Sequence, residues 1–270
     1  MTSPSPVIRR LSAAIAAIVA GVTLTACSSA IAGTASTDAS TVSVTSTATS
    51  ATAALADNVA SHAESGDLAY DADAAVTITL ADGASTSSST SGVAIDGDTV
   101  TISAAGTYVL SGTLSDGRIV VASDADGTVK LVLDNASVTS SSGSAFVITA
   151  ADEAVVVLAD GTSNSLADGT GYDTSADDAP NAALFSMADL TIGGAGSLTV
   201  TGNTNDGIAG KDGLVIQGGT ITVTAVDDGI RGKDYLIVED ATVSVDAKDD
   251  ALKSDNEADD TVGYVLIKSG

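Results

Sequence analysis

Short runs of alternating apolar and polar residues follow one another from residue 67 onward, with Gly and Asp between them. Examples are AVTITL (75–80), SLTVTG (197–202), TITVTA (220–225) and TVSVDA (242–247). These runs are rich in β-branched residues, and their period of two is that of a half-buried strand. Beyond the N-terminal leader no segment has a convincing helical period. The pattern therefore predicts an all-β domain over residues 67–270.

The second half of this domain repeats with a period of 22 residues. NDGIAGKD (205–212) is followed by DDGIRGKD (227–234) and by a degraded copy, DDALKSDN (249–256). Each unit contains a strand, an Asp-Gly turn and a second short strand, which is typical of one coil of a solenoid. A leucine-rich repeat needs regularly placed leucines and a helical back, and the calcium-binding nonapeptide repeat has another period. The repeat therefore predicts a right-handed parallel β-helix with 22-residue coils.

The N-terminus has the features of an export signal. Arg9 and Arg10 precede a short apolar stretch, residues 11–24, which is too short to span a membrane. The stretch ends in LTAC (24–27), which resembles the lipobox of bacterial lipoproteins, in which the cysteine is acylated. We therefore expect residues 1–26 to be a signal peptide and Cys27 to carry a lipid that anchors the protein at the extracellular face of the bacterial membrane. The alternative is a chance cysteine near a cleavage site.

The segment between this signal and the strands is rich in Ser, Thr and Ala. It has too few large apolar residues to offset its ordering entropy, so the sequence predicts a disordered linker over residues 27–66. The lone histidine, His62, lies there and is expected to be solvated. Cys27 is the only cysteine, which excludes an intrachain disulfide.

Charge narrows the classes of partner. The formal net charge is −25, and no basic patch is available for phosphates, so nucleic acid is excluded as a partner. Divalent cations are a natural partner for such a chain. The absence of Trp and the presence of only two Phe leave few aromatic rings on which a sugar could stack.

Residues 205–240 and DDALKSDNEADDTVGYVLIKSG (249–270) resemble bacterial secreted carbohydrate-binding domain proteins. GTYVLSGTLSDGRIVV (106–121) and PNAALFSMADLTIGGAGSLTVTG (180–202) fit the same family. The resemblance implies a right-handed parallel β-helix like that of pectate lyases, several bound Ca²⁺ ions and binding of cell-wall polysaccharide or acidic sugars. Because family members usually continue beyond the point where this sequence stops, we also expect a truncated C-terminus.

The repeat stacks carboxylates. In a parallel β-helix, residues one coil apart stand about 4.8 Å from each other, where two carboxylates repel by roughly 3.5 kcal/mol at an effective dielectric constant of 20. Such a column protonates, turns into water or holds a cation, and Ca²⁺ accepts carboxylate and amide oxygens. The alternative is that Asp-Gly makes the turn and the carboxylates are solvated. The candidate calcium ligands form two neighbouring columns: Asp206, Asp228 and Asp250, and Asn205, Asp227 and Asp249.

Basic and aromatic residues of the same repeats are candidates for polysaccharide binding. Arg231 suits bidentate recognition of a uronate carboxylate, and Lys211 and Lys233 are one period apart beside it. The alternative for the lysines is a set of weak surface ion pairs with neighbouring aspartates. Tyr235 and Tyr264 occupy matching strand positions and either offer rings to a sugar or cap the edge of the core.

These observations favour a surface-anchored, calcium-binding, monomeric β-helix protein that binds polysaccharide, with uronate-containing chains as candidates, without cleaving it. A calcium-dependent polysaccharide lyase and a structural or adhesive solenoid are the alternatives. No catalytic residue can be assigned, because the lysines follow the repeat and no base histidine or nucleophile motif lies in the domain.

Overall fold

The alternating runs form strands in the computed structural model, which describes residues 51–176 and 178–270. The predicted signal peptide, the acylation of Cys27 and the predicted linker up to residue 50 lie outside these residues. The elements of the described part are α1 Ala51–Asp57, β1 Val76–Ala81, β2 Thr86–Ser87, β3 Val93–Asp96, β4 Thr99–Ile102, β5 Gly106–Leu114, β6 Arg118–Ala122, β7 Thr128–Thr139, β8 Phe146–Ala150, β9 Glu153–Leu158, β10 Ser163–Ala167, β11 Ala182–Ser186, β12 Leu190–Gly202, β13 Asp206–Gly210, β14 Gly213–Ala225, β15 Ile230–Gly232, β16 Tyr235–Glu239, β17 Thr242–Ala247, β18 Leu252–Lys253 and β19 Tyr264–Ile267.

The described chain is all-β, as predicted, apart from the helix α1. This helix was not predicted, because seven residues, ATAALAD, are too few to show a period, although alanine has the highest helix propensity. Among the described residues no helix is long and apolar enough to cross a membrane.

The strands form two sheets. The first has eleven strands, with the path β19-β16-β14-β12-β10-β7-β5-β1-β2 and with β17 and β9 attached to it, and the second has eight, in the order β18-β15-β13-β11-β8-β6-β4-β3. Most neighbours are parallel, but β1 with β2 and β3 with β4 are antiparallel, so both sheets are mixed. The antiparallel pairs are hairpins, which a short turn closes at once, whereas parallel neighbours need a longer connection.

The 22-residue spacing sets the strand register in the second half. Ile208 pairs with Ile230, and Leu214 pairs with Leu236. One row of side chains therefore continues from strand to strand across the eight-stranded sheet, formed by Ile119, Phe146, Leu184, Ile208, Ile230 and Leu252. All but the last are fully buried in the main core. Burial of each such side chain stabilises the fold by about 1.5–3 kcal/mol.

One corner between strands requires a left-handed backbone. Gly194 and Gly218 are register partners and have φ values of 119° and 95°, and Asp240, one period later, has a φ of 52°. An added Cβ at Gly194 would stand 2.3 Å from the Leu158 carbonyl oxygen. The corner is therefore closed to side chains at Gly194, because only glycine combines this φ with so close a backbone approach.

Residues 59–69 cross the outer face of the eleven-stranded sheet, and we call this segment the strap. Val59 N–H donates to the Thr261 carbonyl (2.8 Å), and Leu68 joins an apolar cluster with Val132, Val155 and Val157. His62 is not solvated, contrary to expectation: its side chain is 11% exposed. The strap thus covers valine side chains that face outward from β7 and β9.

Candidate functional site

Asp206, Asp228 and Asp250 occupy equivalent positions at one edge of the eight-stranded sheet. Asp228 N–H donates to Asp206 Oδ1 (3.3 Å), and Asp250 N–H donates to Asp228 Oδ1 (3.2 Å). The carboxylates of Asp206 and Asp228 thus each accept a hydrogen bond from the backbone of the next repeat. The structure places these three residues one above the other, as the repeat predicted.

Two basic side chains lie between these carboxylates. Arg231 donates to Asp206 Oδ2 through Nε (2.9 Å) and Nη2 (2.7 Å), and its Nη1 is 3.2 Å from Asp255 Oδ2. Lys253 Nζ is 2.9 Å from Asp228 Oδ2 and 3.6 Å from Asp250 Oδ2. The repulsion within the column is therefore relieved by side-chain cations, each placed 25 residues after the carboxylate that it neutralises.

The Asp206–Arg231 ion pair is buried, which indicates that it stabilises the fold. Asp206 is 1% exposed and Arg231 is 9% exposed. Burial raises the pKa of Asp206 to about 6, although the Arg231 guanidinium acts in the opposite direction. A guanidinium that is buried and held by carboxylates from two coils has its fork directed at these carboxylates.

A group of carboxylates that could meet a cation consists of Asp228 of this column and two residues beside it. One carboxylate oxygen from each of Asp227, Asp228 and Asp249 lies within 4.8 Å of the others. Asp227 is half-buried and Asp249 is exposed. Of the other predicted ligands, Asn205 donates from Nδ2 to Asp206 Oδ1 (3.0 Å), and the Asp250 side chain is 57% exposed. The structure therefore groups three of the six predicted ligands.

Lys211, Arg231 and Lys233, the basic candidates for polysaccharide binding, lie in different environments. Lys211 is half-buried, and its backbone N–H donates to the Ser186 carbonyl (2.8 Å). Lys233 is exposed, and its backbone N–H donates to the Gly210 carbonyl (3.0 Å). Arg231, which lies between them in the sequence, is buried. Of the three bases, Lys233 is the one whose side chain is open to solvent.

Tyr235 caps the edge of the core, which is the alternative that the sequence left open. Its ring is 4% exposed and stacks on Tyr264 with centroids 5.4 Å apart. Its Oη is 2.7 Å from His62 Nδ1, so the strap covers it. Gly213 is its register partner, and a Cβ there would stand 2.4 Å from the ring. The ring is therefore not an exposed platform for a sugar.

Sequence reasoning missed a second group of carboxylates, at the corner after the Gly-Lys motif. Asp189 Oδ1 accepts a hydrogen bond from Gly213 N–H (3.0 Å) and lies 3.2 Å from His62 Nδ1. Burial raises the pKa of Asp212 to about 6, with further contributions from Asp189 and Asp234. The signal was present, because Asp212 and Asp234 are one period apart, but Asp189 and His62 lie outside the repeat.

The fold and this site define a class: an all-β protein that carries grouped carboxylates in successive repeats. The family model of the carbohydrate-binding domain-containing proteins matches residues 96–270, and the chain belongs to this family. A carbohydrate-binding domain-containing protein of Acetivibrio thermocellus is 35% identical over 136 residues, which are 50% of this chain and 48% of the relative. The chain thus spans about half the length of that curated relative.

A solved structure is also similar. It is that of the polysaccharide lyase-like protein from C. thermocellum, a gadolinium derivative, with a TM-score of 0.69 and 32% identity. The similarity covers 72% of this chain and 79% of the other. The family prediction is therefore confirmed.

Proposed function

We propose that this protein is a calcium-binding β-helix protein that binds cell-wall or acidic polysaccharide without cleaving it. Membership of the carbohydrate-binding family supports a polysaccharide partner. The observation that supports binding without cleavage is the burial of Arg231, whose guanidinium donates hydrogen bonds to Asp206 and Asp255. It is therefore not free to act on a substrate.

We infer that the two sheets are walls of one right-handed parallel β-helix. The support is the parallel pairing of successive repeats in both sheets and a register that follows the 22-residue period, as in Ile230 with Leu252 and Val223 with Val245. The two hairpins, β1–β2 and β3–β4, cover the N-terminal edges of the sheets, where parallel partners are absent from the described strands.

The calcium part of the proposal is carried by Asp227, Asp228 and Asp249. Ca²⁺ takes about six to eight oxygen ligands in flexible geometry, and the carboxylates of Asp227 and Asp249 offer up to four, beside Asp228 Oδ2, which is shared with Lys253. Asp227 and Asp249 are accessible, and Asp228 fixes one side of the group. Asp206 does not fit, because its oxygens accept hydrogen bonds from Arg231 and from backbone and amide N–H groups. A bound Ca²⁺ would neutralise the group and offer open coordination positions to sugar hydroxyls or carboxylates.

The similarity to a polysaccharide lyase-like protein keeps a lyase as the second candidate. Such chemistry needs a base to remove the proton alpha to the uronate carboxylate. Lys253 is the basic residue beside the grouped carboxylates, and its hydrogen bond to Asp228 raises its pKa above the usual range. A lysine engaged in ion pairs with Asp228 and Asp250 is not free to accept this proton, which favours binding over cleavage.

We also propose the location that the N-terminal sequence predicts, namely lipid anchoring through Cys27 at the outer face of the bacterial membrane. The lipobox-like LTAC (24–27) supports it. Fractionation of cells that express the Cys27→Ser variant tests it. The variant is expected in the medium, and its retention in the membrane fraction would contradict the proposal.

A glycan array tests the function as a whole. The full chain is applied with calcium and with excess chelator, and the Asp227→Asn variant is applied beside it. We expect binding to a defined set of polysaccharides, with binding to the uronate-containing members reduced by chelator and by the substitution. An array with no bound glycan in either condition would contradict polysaccharide binding and leave the structural solenoid.

A further inference from the structure

Two cavities meet at Arg118, at the start of β6 and far along the sheet from the calcium candidates. The larger has a volume of about 550 Å³ and is lined by residues that include Asp98, Asp116 and Ser142. The smaller, of about 210 Å³, is lined by residues that include Ser142 and Tyr172. The larger volume is within the range of about 300–1,000 Å³ that is typical of ligand sites. Arg118 lines both, so one extended ligand would pass this side chain.

Most N–H donors of the Arg118 guanidinium have no partner among the described residues. Among the described residues it forms no ion pair, and its one direct hydrogen bond runs from Nη2 to Ser142 Oγ (3.0 Å). A guanidinium has five N–H donors in a fixed plane. Gly143 lies beside it, and an added Cβ there would stand in ordinary contact with Nη2, at 3.4 Å. Arg118 thus differs from Arg231, whose donors are occupied by carboxylates.

The smaller cavity contains a buried hydroxyl that lacks a partner. Ser144 is 2% exposed, and its Oγ has no hydrogen-bond partner of acceptable geometry, although it lies near the Tyr172 hydroxyl. Leaving a buried polar group unpaired has a free-energy cost, because the group has lost its hydrogen bonds to water. A ligand hydroxyl that reached Ser144 would recover part of this cost, so the cavity favours a ligand with several hydroxyl groups.

Tyr172 is held in place as a wall of this cavity. Its Oη donates to Asp168 Oδ2 (2.8 Å), and Asp168 is itself 2% exposed and accepts the Asn203 backbone N–H. The ring is half-buried and lies beside Pro180 and Val147 in the cavity wall. An aromatic ring fixed in this way next to hydroxyl and guanidinium groups suits a pyranose, which has an apolar face and a polar rim.

The charge around Arg118 selects against acidic sugars. Asp98 and Asp116 line the larger cavity and Asp173 lines the smaller one, so the carboxylates outnumber the single guanidinium. The net charge of the whole chain, −25, adds to this repulsion. A sugar carboxylate is disfavoured here, whereas the same aspartates accept hydrogen bonds from neutral sugar hydroxyls.

We propose that Arg118, Ser142, Ser144, Tyr172 and Asp173 form a binding subsite for the pyranose rings of a neutral polysaccharide, which we call the Arg118 subsite. Tyr172 stacks on one ring, Arg118 donates to its hydroxyls, and the chain continues into the larger cavity toward Asp116. This inference rests on the proposed function, because it names where a polysaccharide binds and of which charge.

Isothermal calorimetry with hexasaccharides tests the subsite. The full chain is titrated with neutral β-1,4-linked glucose, xylose and mannose hexamers and with hexagalacturonate, in calcium and in chelator. We expect a neutral hexamer to bind independently of calcium. Arg118→Ala and Tyr172→Ala should each lower its association constant about tenfold or more, as for residues at the centre of an interface. Tyr172→Phe, which keeps the ring, should retain most of the affinity.

The controls separate the possible failures. Lys248→Ala removes an exposed base elsewhere and should bind as the wild type does, and thermal melting shows whether each variant is folded. Equal binding by the wild type and a folded Arg118→Ala variant would overturn the subsite while the proposed function stands. Binding of hexagalacturonate alone, abolished by chelator, would overturn it in favour of the calcium group. If the wild type binds no hexamer and no polysaccharide on the array, the proposed function fails as well.

Discussion

Replacement of Arg231 by Met tests whether this arginine is a structural group. The substitution keeps the length of the side chain and removes two hydrogen bonds to Asp206 and one to Asp255. The Asp206 carboxylate, 1% exposed, would remain buried without its cation. Removal of one partner from a buried ion pair destabilises a protein by about 3–5 kcal/mol. For a domain of this size that lowers the melting temperature by roughly 6–20 °C.

The loss should depend on pH. The pKa of Asp206 is already raised to about 6 by burial, from an ordinary value of 3.8, and the loss of Arg231 raises it further. Below about pH 6 the folded wild type and the folded variant both bind this proton, which the unfolded chain, in which Asp206 has its ordinary pKa, does not hold above about pH 4. Above about pH 6 only the folded variant holds it, so the stability of the variant relative to the wild type rises as pH falls from about 7.5 toward 6. At pH 5 the carboxyl is neutral, and we expect a loss of about 1–2 kcal/mol.

Urea unfolding followed by far-ultraviolet circular dichroism, at pH 5 and pH 7.5, measures both effects. Asp206→Asn combined with Arg231→Met should recover most of the stability, because no buried charge is left. Lys233→Met removes an exposed base two residues away and should change the free energy of unfolding by less than about 0.5 kcal/mol. An Arg231→Met variant as stable as the wild type at pH 7.5, or equally destabilised at both pH values, would refute the reasoning.

Three further predictions concern the other sites. Calcium at about 100 times its Kd should raise the melting temperature by roughly 5–10 °C. Asp227→Asn should abolish this shift, whereas Asp250→Asn should keep it. Equal shifts in both variants would contradict the site. Burial raises the pKa of Asp212 to about 6, so the folded protein holds a proton there that the unfolded chain loses, and the free energy of unfolding falls as pH rises from about 4 to 6. Urea midpoints across this range should therefore fall less steeply in Asp212→Asn than in the wild type. His62→Ala removes the bond to Tyr235 Oη, so hydrogen exchange should quicken in residues 59–69 while strands of the core keep their protection, and unchanged exchange there would argue against the strap.

The sequence was sufficient for the strands and their register in the second half. The alternation of TITVTA (220–225) predicts which side chains face inward, and β14 shows that alternation as Ile221 and Val223 buried beside exposed Thr222 and Thr224. The 22-residue spacing then predicts which residues pair, as Thr220 with Thr242. Both signals are local or periodic, which is why they can be read without a structure.

The state of the carboxylate column could not be read in the same way. Asp206, Asp228 and Asp250 do stack, but the repeat alone does not tell which cation neutralises them. Arg231 and Lys253 reach back across one coil from positions three residues further along the repeat. The residue at this position of the first repeat is alanine, Ala209, so no basic period marks it. The pairing depends on side-chain length and direction, which a linear sequence does not give.

The strap was missed for a different reason. Residues 59–69 are polar and short of large apolar groups, which predicts disorder when the segment is considered alone. Its stabilisation comes from distant partners: His62 contacts Tyr235 and Thr191, and Leu68 contacts valines of β7 and β9. The His62 contacts join residues that are 173 and 129 positions apart in the sequence. No local pattern encodes them.

One experiment tests the central claim, binding without cleavage, most directly. The full chain is incubated with polygalacturonate and with a neutral polysaccharide in calcium, and the bound fraction and the ultraviolet absorbance of unsaturated product are followed in the same samples. Lyase chemistry would leave an unsaturated uronate at each new chain end, so absorbance reports cleavage while sedimentation reports binding. We predict a stable bound fraction with constant absorbance. Steadily growing absorbance from polygalacturonate, in proportion to the amount of protein, would contradict the account.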